Sequence, residues 1–62
     1  MYTYKINLID GISYTVKSMK NNINNFIEEL YSSDVCTYEL VQDSPRDRFV
    51  AIVSNKVISV EH

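Results

Sequence analysis

The feature that most constrains this chain is an Asp10-Gly11 dipeptide between two stretches in which apolar and polar residues alternate. Tyr and aliphatic side chains occupy every second position in residues 2–9, and the alternation resumes in residues 12–17. A period of two places side chains on alternate faces of a β-strand, and Asp-Gly favours the tight turns that join antiparallel strands. The sequence therefore predicts an opening β-hairpin with one buried face.

The apolar spacing changes after this hairpin. The next apolar residues share one stripe of a helix with 3.6 residues per turn: Met19, Ile23, Phe26, Ile27 and Leu30. We predict Ser18 as the N-cap, and the polar cluster at residues 31–34 as the end of the helix. Four Asn residues in the first two turns are poor helix formers, so this helix should depend on packing against a sheet.

Three further strands are predicted in the second half of the chain. Residues 35–42 are rich in strand formers, and a turn with Pro45 separates them from residues 48–53. That second stretch is apolar on both faces, which is typical of a central strand covered on both sides or of a strand in a small barrel. After a short turn, residues 56–61 alternate again, so we expect a three-stranded meander.

The order strand-strand-helix-strand-strand-strand predicts one α+β domain spanning residues 1–62. We expect an antiparallel, strongly curved five-stranded sheet packed on one helix, because the helix stripe needs a broad surface. The alternative is a small SH3-like barrel. A chain of 62 residues is near the lower limit for independent folding, so self-association would add support.

The predicted sheet has more apolar residues than one helix can cover. In the last strand Ile58 and Val60 should point inward and Val57 outward, and Val41 with one face of residues 49–53 adds to the surplus. Exposed apolar patches of this kind mark interaction sites. We therefore expect a partner protein or a second copy to cover them.

The charges and the scarce residue types disfavour several classes of function. Eight acids against six bases give a net charge of −2, which leaves no basic excess to neutralise a phosphate backbone. Cys36 and His62 are the only Cys and His, so the chain has no metal-ligand set, no internal disulfide and no nucleophile-base pair. We expect no cofactor, no metal, no small-molecule substrate and no enzymatic activity, and we interpret Cys36 as a small core residue.

Membrane insertion is also disfavoured. The longest apolar run is Phe49 to Val53, whereas a membrane-spanning helix needs roughly 20 residues. The first residues lack the basic start and apolar stretch of a signal peptide. We therefore expect a cytoplasmic protein.

Several residues have the chemistry of binding hot spots, where Tyr and Arg are enriched. Two Tyr residues could be surface rings, two Arg residues flank Asp47 beside the Pro turn, and one Val belongs to the apolar surplus. The candidate partner-binding residues are Tyr31, Tyr38, Arg46, Arg48 and Val57.

Three patterns carry a family resemblance: Tyr-Lys-Ile-x-Leu-x-Asp-Gly-x-x-Tyr-x-Val in the hairpin, Ile-x-x-Phe-Ile-x-x-Leu in the helix, and Phe-Val-Ala-Ile-x-x-x-x-Val-Ile-Ser-Val-Glu near the end. In these patterns the chain resembles small proteins encoded by phages, prophages and mobile elements of low-GC Gram-positive bacteria. The shared features are turns and core alternation, with no catalytic residue among them. The resemblance implies a small cytoplasmic accessory protein that binds a host or phage protein.

Two classes of function follow, in order of preference. The first is a non-enzymatic protein-binding or self-associating module that uses an exposed strand edge or an uncovered sheet face. The alternative is a nucleic-acid-associated small β module that uses Lys5, Thr15, Lys17 and Tyr residues on one sheet face. A DNA mimic is poorly supported by a net charge of −2.

Overall fold

The structure, a computed structural model, describes residues 2–41 and 48–62. Its elements in chain order are β1 (Tyr2–Leu8), β2 (Ser13–Ser18), α1 (Ile23–Tyr31), β3 (Val35–Leu40), β4 (Phe49–Val53), a 3-10 turn (Ser54–Lys56) and β5 (Val57–Glu61). The predicted α+β class, with five antiparallel strands and one helix, is confirmed. The short turn expected before the last strand is a 3-10 turn.

The five strands form one open sheet in the order β4-β3-β2-β1-β5. No ladder joins β4 to β5 within the described residues, so neither the predicted strong curvature nor the barrel alternative is supported. The predicted meander is also wrong, because β5 pairs with β1 instead of with β4. This exchange of partners makes β4 an edge strand.

The 3-10 turn links the two edge strands. The backbone N–H of Ser54 donates to the carbonyl of Asp34 at 2.9 Å, just before β3, and the N–H of Ile9 donates to the carbonyl of Lys56 at 2.9 Å, just after β1. The turn is therefore fixed at both ends to backbone that lies beside the sheet. As a result, the end of β4 and the start of β5 are close in space although the strands lie at opposite edges.

The helix begins about one turn later than predicted, and its N-cap is Asn22 instead of Ser18. The Asn22 side chain accepts a hydrogen bond from the N–H of Asn24 at 2.8 Å, and its backbone is extended. Ser18 ends β2, and its hydroxyl oxygen accepts from the N–H of Lys20 at 3.1 Å. Met19, expected on the helix stripe, lies in the intervening loop and is 80% exposed.

The core lies between α1 and the inner face of the sheet. Phe26 of the helix stacks on Tyr4 of β1, with 4.3 Å between ring centroids, and packs on Tyr38 at 5.2 Å. The Tyr4 hydroxyl donates to the carbonyl of Lys20 at 2.6 Å, so the buried phenol is not left without a partner. The buried apolar residues are Tyr4, Ile6, Val16, Phe26, Leu30, Tyr38, Leu40 and Ile52.

Side chains satisfy the carbonyls at the end of the helix. The Ser32 hydroxyl donates to the carbonyl of Glu29 at 2.6 Å, and the Cys36 thiol donates to the carbonyl of Leu30 at 3.5 Å. Such terminal carbonyls have no partner within a helix. Cys36 is half-buried against the core, so in this structure it is a packing residue that also joins β3 to the helix.

A β-bulge reverses the predicted faces of β5. Two adjacent residues of β1 pair with Ser59 and Val57, so the intervening Ile58 is an extra residue. Val57 and Val60 consequently both pack against the core, whereas Ile58 is 63% exposed. The predicted outward position of Val57 and inward position of Ile58 are therefore wrong.

The N-cap position can be tested by substitution. Asn22→Ala should lower the free energy of unfolding by about 1 kcal/mol, because the N–H of Asn24 loses its acceptor. Asn25→Ala should raise it by up to about 0.7 kcal/mol, because Asn25 is an exposed helix residue and Ala is the better helix former. Urea unfolding followed by circular dichroism measures both. Equal effects of the two substitutions would contradict the assignment.

Candidate functional site

The edge strand β4 carries apolar side chains on both faces. Its inner side chains, Val50 and Ile52, pack on the core. Its outer side chains, Phe49, Ala51 and Val53, are exposed, Phe49 by 64%. We call these three residues the outer row. The central, doubly covered strand predicted for residues 48–53 is therefore wrong, because one edge and one face of β4 are open.

The outer row also points its backbone groups away from the sheet. The N–H of Leu40 donates to the carbonyl of Arg48 at 2.6 Å, and the N–H of Ser54 donates to the carbonyl of Asp34 at 2.9 Å. Even-numbered positions of β4 therefore bond to β3. Because residues of an antiparallel strand alternate between bonding to one side and to the other, Phe49 and Ala51 direct their N–H and C=O groups away from β3, and Val53 directs its N–H there while its C=O begins the 3-10 turn.

The apolar surface continues from β4 onto β3. The outer row lies opposite Val35, Thr37 and Glu39 of β3, and Val35 is itself 53% exposed. Opposite Phe49 the surface becomes charged, because the carboxylate of Glu39 lies 3.4 Å from the ammonium of Lys17 on β2. We call the apolar part the β4 surface, defined by Val35, Phe49, Ala51 and Val53.

The opposite edge of the sheet has two features that limit strand pairing, a bulge and charged residues. β5 contains the bulge at Ile58 and ends at Glu61, whose carboxylate accepts from the Asn7 amide at 2.9 Å and lies 4.0 Å from the Lys5 ammonium. Bulges and charges are the devices by which proteins protect sheet edges. The ladder between β3 and β4 has no bulge, and Phe49–Val53 contains no charge and no Pro. Within the part of the chain that the structure describes, β4 is thus the edge strand without a bulge or a charge.

The residues of the nucleic-acid alternative are arranged unfavourably. Lys5 and Lys17 lie on the outer face of the sheet, but each is paired with a glutamate, at 4.0 and 3.4 Å. Tyr4 and Tyr14 point to the inner face, where Tyr4 is fully buried and Tyr14 packs against the core. Among the described residues, the lysines of this alternative are therefore ion-paired and two of its Tyr rings face the core, an arrangement that does not favour binding of single-stranded nucleic acid.

The five candidate partner-binding residues do not form one site. Tyr31 is exposed at the end of α1, Val57 packs against the core, and Tyr38 is buried in the aromatic cluster instead of being a surface ring. Arg46 lies outside the described residues. Arg48 is exposed and immediately precedes β4, so it is the one candidate that adjoins the β4 surface. One face of residues 49–53 was expected to be uncovered, but its residues were not among the five candidates, because the edge position of β4 depends on the partner of β5.

A groove of about 230 Å³ lies where β3 separates from β2, lined by Lys17, Ser18, Met19, Glu29, Thr37, Tyr38 and Glu39. The ladder between these strands has only two residue pairs, which leaves the gap. The Tyr38 hydroxyl is 3.5 Å from the Glu29 carboxylate. Burial, and next the negative charge of Glu29, raise the pKa of Tyr38 above its ordinary value, so this phenol does not act as a base near neutral pH.

No protein-family model, curated protein or solved structure matches the chain. In residues 2–41 and 48–62, no group of three or more His, Cys, Asp or Glu side chains is placed to hold a metal ion. Over the same residues, no helix has the length and apolar character needed to cross a membrane. The β4 surface is therefore the feature of the structure from which a function can be inferred.

Tyr38 should make stability depend on alkaline pH. Its pKa is raised in the folded chain, so the stabilisation is complete below about pH 10, where an unfolded Tyr ionises, and is lost as the pH rises further. Tyr38→Phe has no phenol to ionise. Its free energy of unfolding, relative to the wild type, should stay constant up to about pH 9 and then rise, by at most about 1.4 kcal/mol per pH unit, the limit for one proton.

Urea titrations of both proteins from pH 7 to pH 11 measure this difference. Glu29→Gln provides the control, because it removes the second cause of the raised pKa and leaves the burial in place. The pH dependence should therefore be weaker in Glu29→Gln than in the wild type. A constant difference between the wild type and Tyr38→Phe across the whole range would contradict the assignment.

Proposed function

We propose that this chain is a small non-enzymatic module that binds a protein strand, from another protein or from a second copy, along the free edge of β4. One observation carries the proposal: Phe49 and Ala51, whose N–H and C=O groups point away from β3, and Val53, whose N–H does, are also residues with exposed apolar side chains. Strand addition at an open edge uses main-chain hydrogen bonds for affinity and alternate side chains for specificity.

The β4 edge is well prepared for such binding. Five consecutive residue pairs with β3 hold the strand, and Ile52 is anchored in the core. The edge is therefore ordered before a partner arrives, which reduces the entropy lost on binding. A strand laid beside β4 would cover part of Phe49, and complete burial of such a side chain contributes about 2 kcal/mol.

Other features support a location in the cell and a role for the proposed binding module. Cys36 is a free thiol, which persists most easily in a reducing compartment, so we propose a cytoplasmic protein. The resemblance to small phage and mobile-element proteins supports an accessory role toward a host or phage protein. The β4 surface itself carries no acid, base or nucleophile, which supports binding over catalysis.

Site-specific photocrosslinking tests the proposal in cells that carry the gene. We expect p-benzoylphenylalanine in place of Phe49 to crosslink to a protein, either a second copy or another chain. The same amino acid in place of Ile58 is a matched control, because the two side chains lie on the two edge strands and are 64% and 63% exposed. The control should give little or no product.

A second substitution shows whether the backbone edge is responsible. Ala51→Pro removes an N–H that points away from β3, so the ladder between β3 and β4 keeps its hydrogen bonds while the edge loses a donor. Combined with the probe at position 49, it should reduce crosslinking at least tenfold. Equal crosslinking from positions 49 and 58, or no crosslinking from position 49, would refute the proposed surface.

A further inference from the structure

We infer that the strand bound at the β4 edge is β4 of a second copy, antiparallel to the first about a two-fold axis at Ala51. This inference rests on the proposed function and adds the identity of the partner. The expected assembly is a dimer with one continuous ten-stranded sheet, in which both β4 strands become central.

The outer row is self-complementary about Ala51. In an antiparallel pairing with Ala51 opposite Ala51 of the second copy, Phe49 lies opposite Val53, and Val53 opposite Phe49. Ala51 then pairs with Ala51 of the second copy through both its N–H and its C=O, and the C=O of each Phe49 accepts from the N–H of a Val53, whose own C=O begins the 3-10 turn. A shift of two residues in either direction leaves one residue of each row unpaired.

The side chains suit this register on both faces of the sheet. On the outer face the smallest residue, Ala51, lies at the axis, and each Phe49 packs beside a Val53, a favourable cross-strand combination of aromatic and β-branched residues. On the inner face the half-buried Val50 lies opposite Ile52 of the second copy. The same register therefore covers apolar area on two faces.

The charges at the two ends of β4 are also complementary. Arg48 precedes the strand and Ser54 follows it. The exposed Asp34 lies beside Ser54, because the N–H of Ser54 donates to the carbonyl of Asp34 at 2.9 Å. The two-fold axis brings Arg48 opposite Ser54 of the second copy, one strand away from Asp34. Each dimer would contain this arginine-carboxylate pair twice, once at each end of the interface.

The opposite edge explains why assembly would stop at two copies. Pairing through β4 leaves only β5 at each end of the ten-stranded sheet, and its bulge at Ile58 and its terminal Glu61 oppose further strand addition. An interface that uses the same surface on both subunits closes with two-fold symmetry. A closed dimer is therefore expected instead of a filament.

Disulfide trapping tests the axis directly. In a Cys36→Ser background, Ala51→Cys places two thiols at the axis, where hydrogen-bonded partners have Cα atoms about 5.5 Å apart, within the range for a disulfide. Under a glutathione redox buffer we expect most of this variant to become a dimer of twice 7.2 kDa on a non-reducing gel. Ile58→Cys in the same background is the control and should stay monomeric.

Charge reversal tests the register. By sedimentation equilibrium, Arg48→Asp and Asp34→Arg should each weaken dimerisation at least fivefold, because each places like charges together at both ends of the interface. The double variant Arg48→Asp, Asp34→Arg should recover the wild-type dissociation constant within about threefold. Single variants that weaken dimerisation without recovery in the double variant would overturn the antiparallel register.

Two outcomes separate this inference from the proposed function. A wild type that stays monomeric at millimolar concentration, with no trapping through Ala51→Cys, overturns the dimer, while crosslinking of Phe49 to a different protein in cells would leave strand addition at β4 intact. Equal trapping of the Ala51→Cys and Ile58→Cys variants also overturns the dimer, since it would reflect collision. Trapping confined to Ala51→Cys supports it.

Discussion

The antiparallel ladder between β5 and β1 determines which strand of the sheet is left without a neighbour. β1 lies next to the sheet edge and pairs with β2 on one side and β5 on the other. Once β5 occupies that position, β4 can pair only with β3, and its second side stays open. The 3-10 turn of Ser54–Lys56 connects the end of β4 directly to the start of β5.

The inner face of the sheet is covered by one short helix, and this cover is built around aromatic rings. Phe26 contacts both Tyr4 and Tyr38, so one helical residue joins the first strand to the third. The Asn-rich sequence of α1 has weak intrinsic helix propensity, so the packing of Phe26 and Leu30 supplies most of its stability. No described element covers the outer face in the same way, and apolar side chains are exposed there on β4 and the adjoining end of β3.

Local patterns were sufficient to predict the elements but not their partners. The Asp10-Gly11 hairpin, the helix stripe around Phe26 and Leu30, and the α+β class follow from spacing that any short window shows. The choice of Asn22 over Ser18 as the N-cap is a competition between two good capping residues, which sequence alone does not decide. The bulge at Ile58 and the pairing of β5 with β1 depend on contacts far apart in the chain.

The candidate site could likewise be predicted only in part, because local patterns do not show which strands pair. Arg48 and the apolar stretch that follows it were recognised from the sequence, whereas the chemistry of Tyr and Arg side chains directed attention to Tyr38, which the structure buries. The more informative feature was that the predicted sheet has more apolar residues than one helix can cover. It indicated that a surface remained uncovered, but the residues that form it could be identified only once β4 was known to lie at an edge.

The sequence predicted β4 as a central strand, whereas the structure places it at an edge, and this difference bears on assembly. A strand that is apolar on both faces and contains neither Pro nor charge has the sequence of a central strand. In the single chain it is an edge strand, so its sequence and its position conflict, whereas the bulged and charged β5 has the sequence of an edge and lies at one. The proposed addition of a strand to β4 would remove the conflict, because β4 would then lie between two neighbours. The residue pattern of β4 is therefore the one expected for a strand that gains a second neighbour.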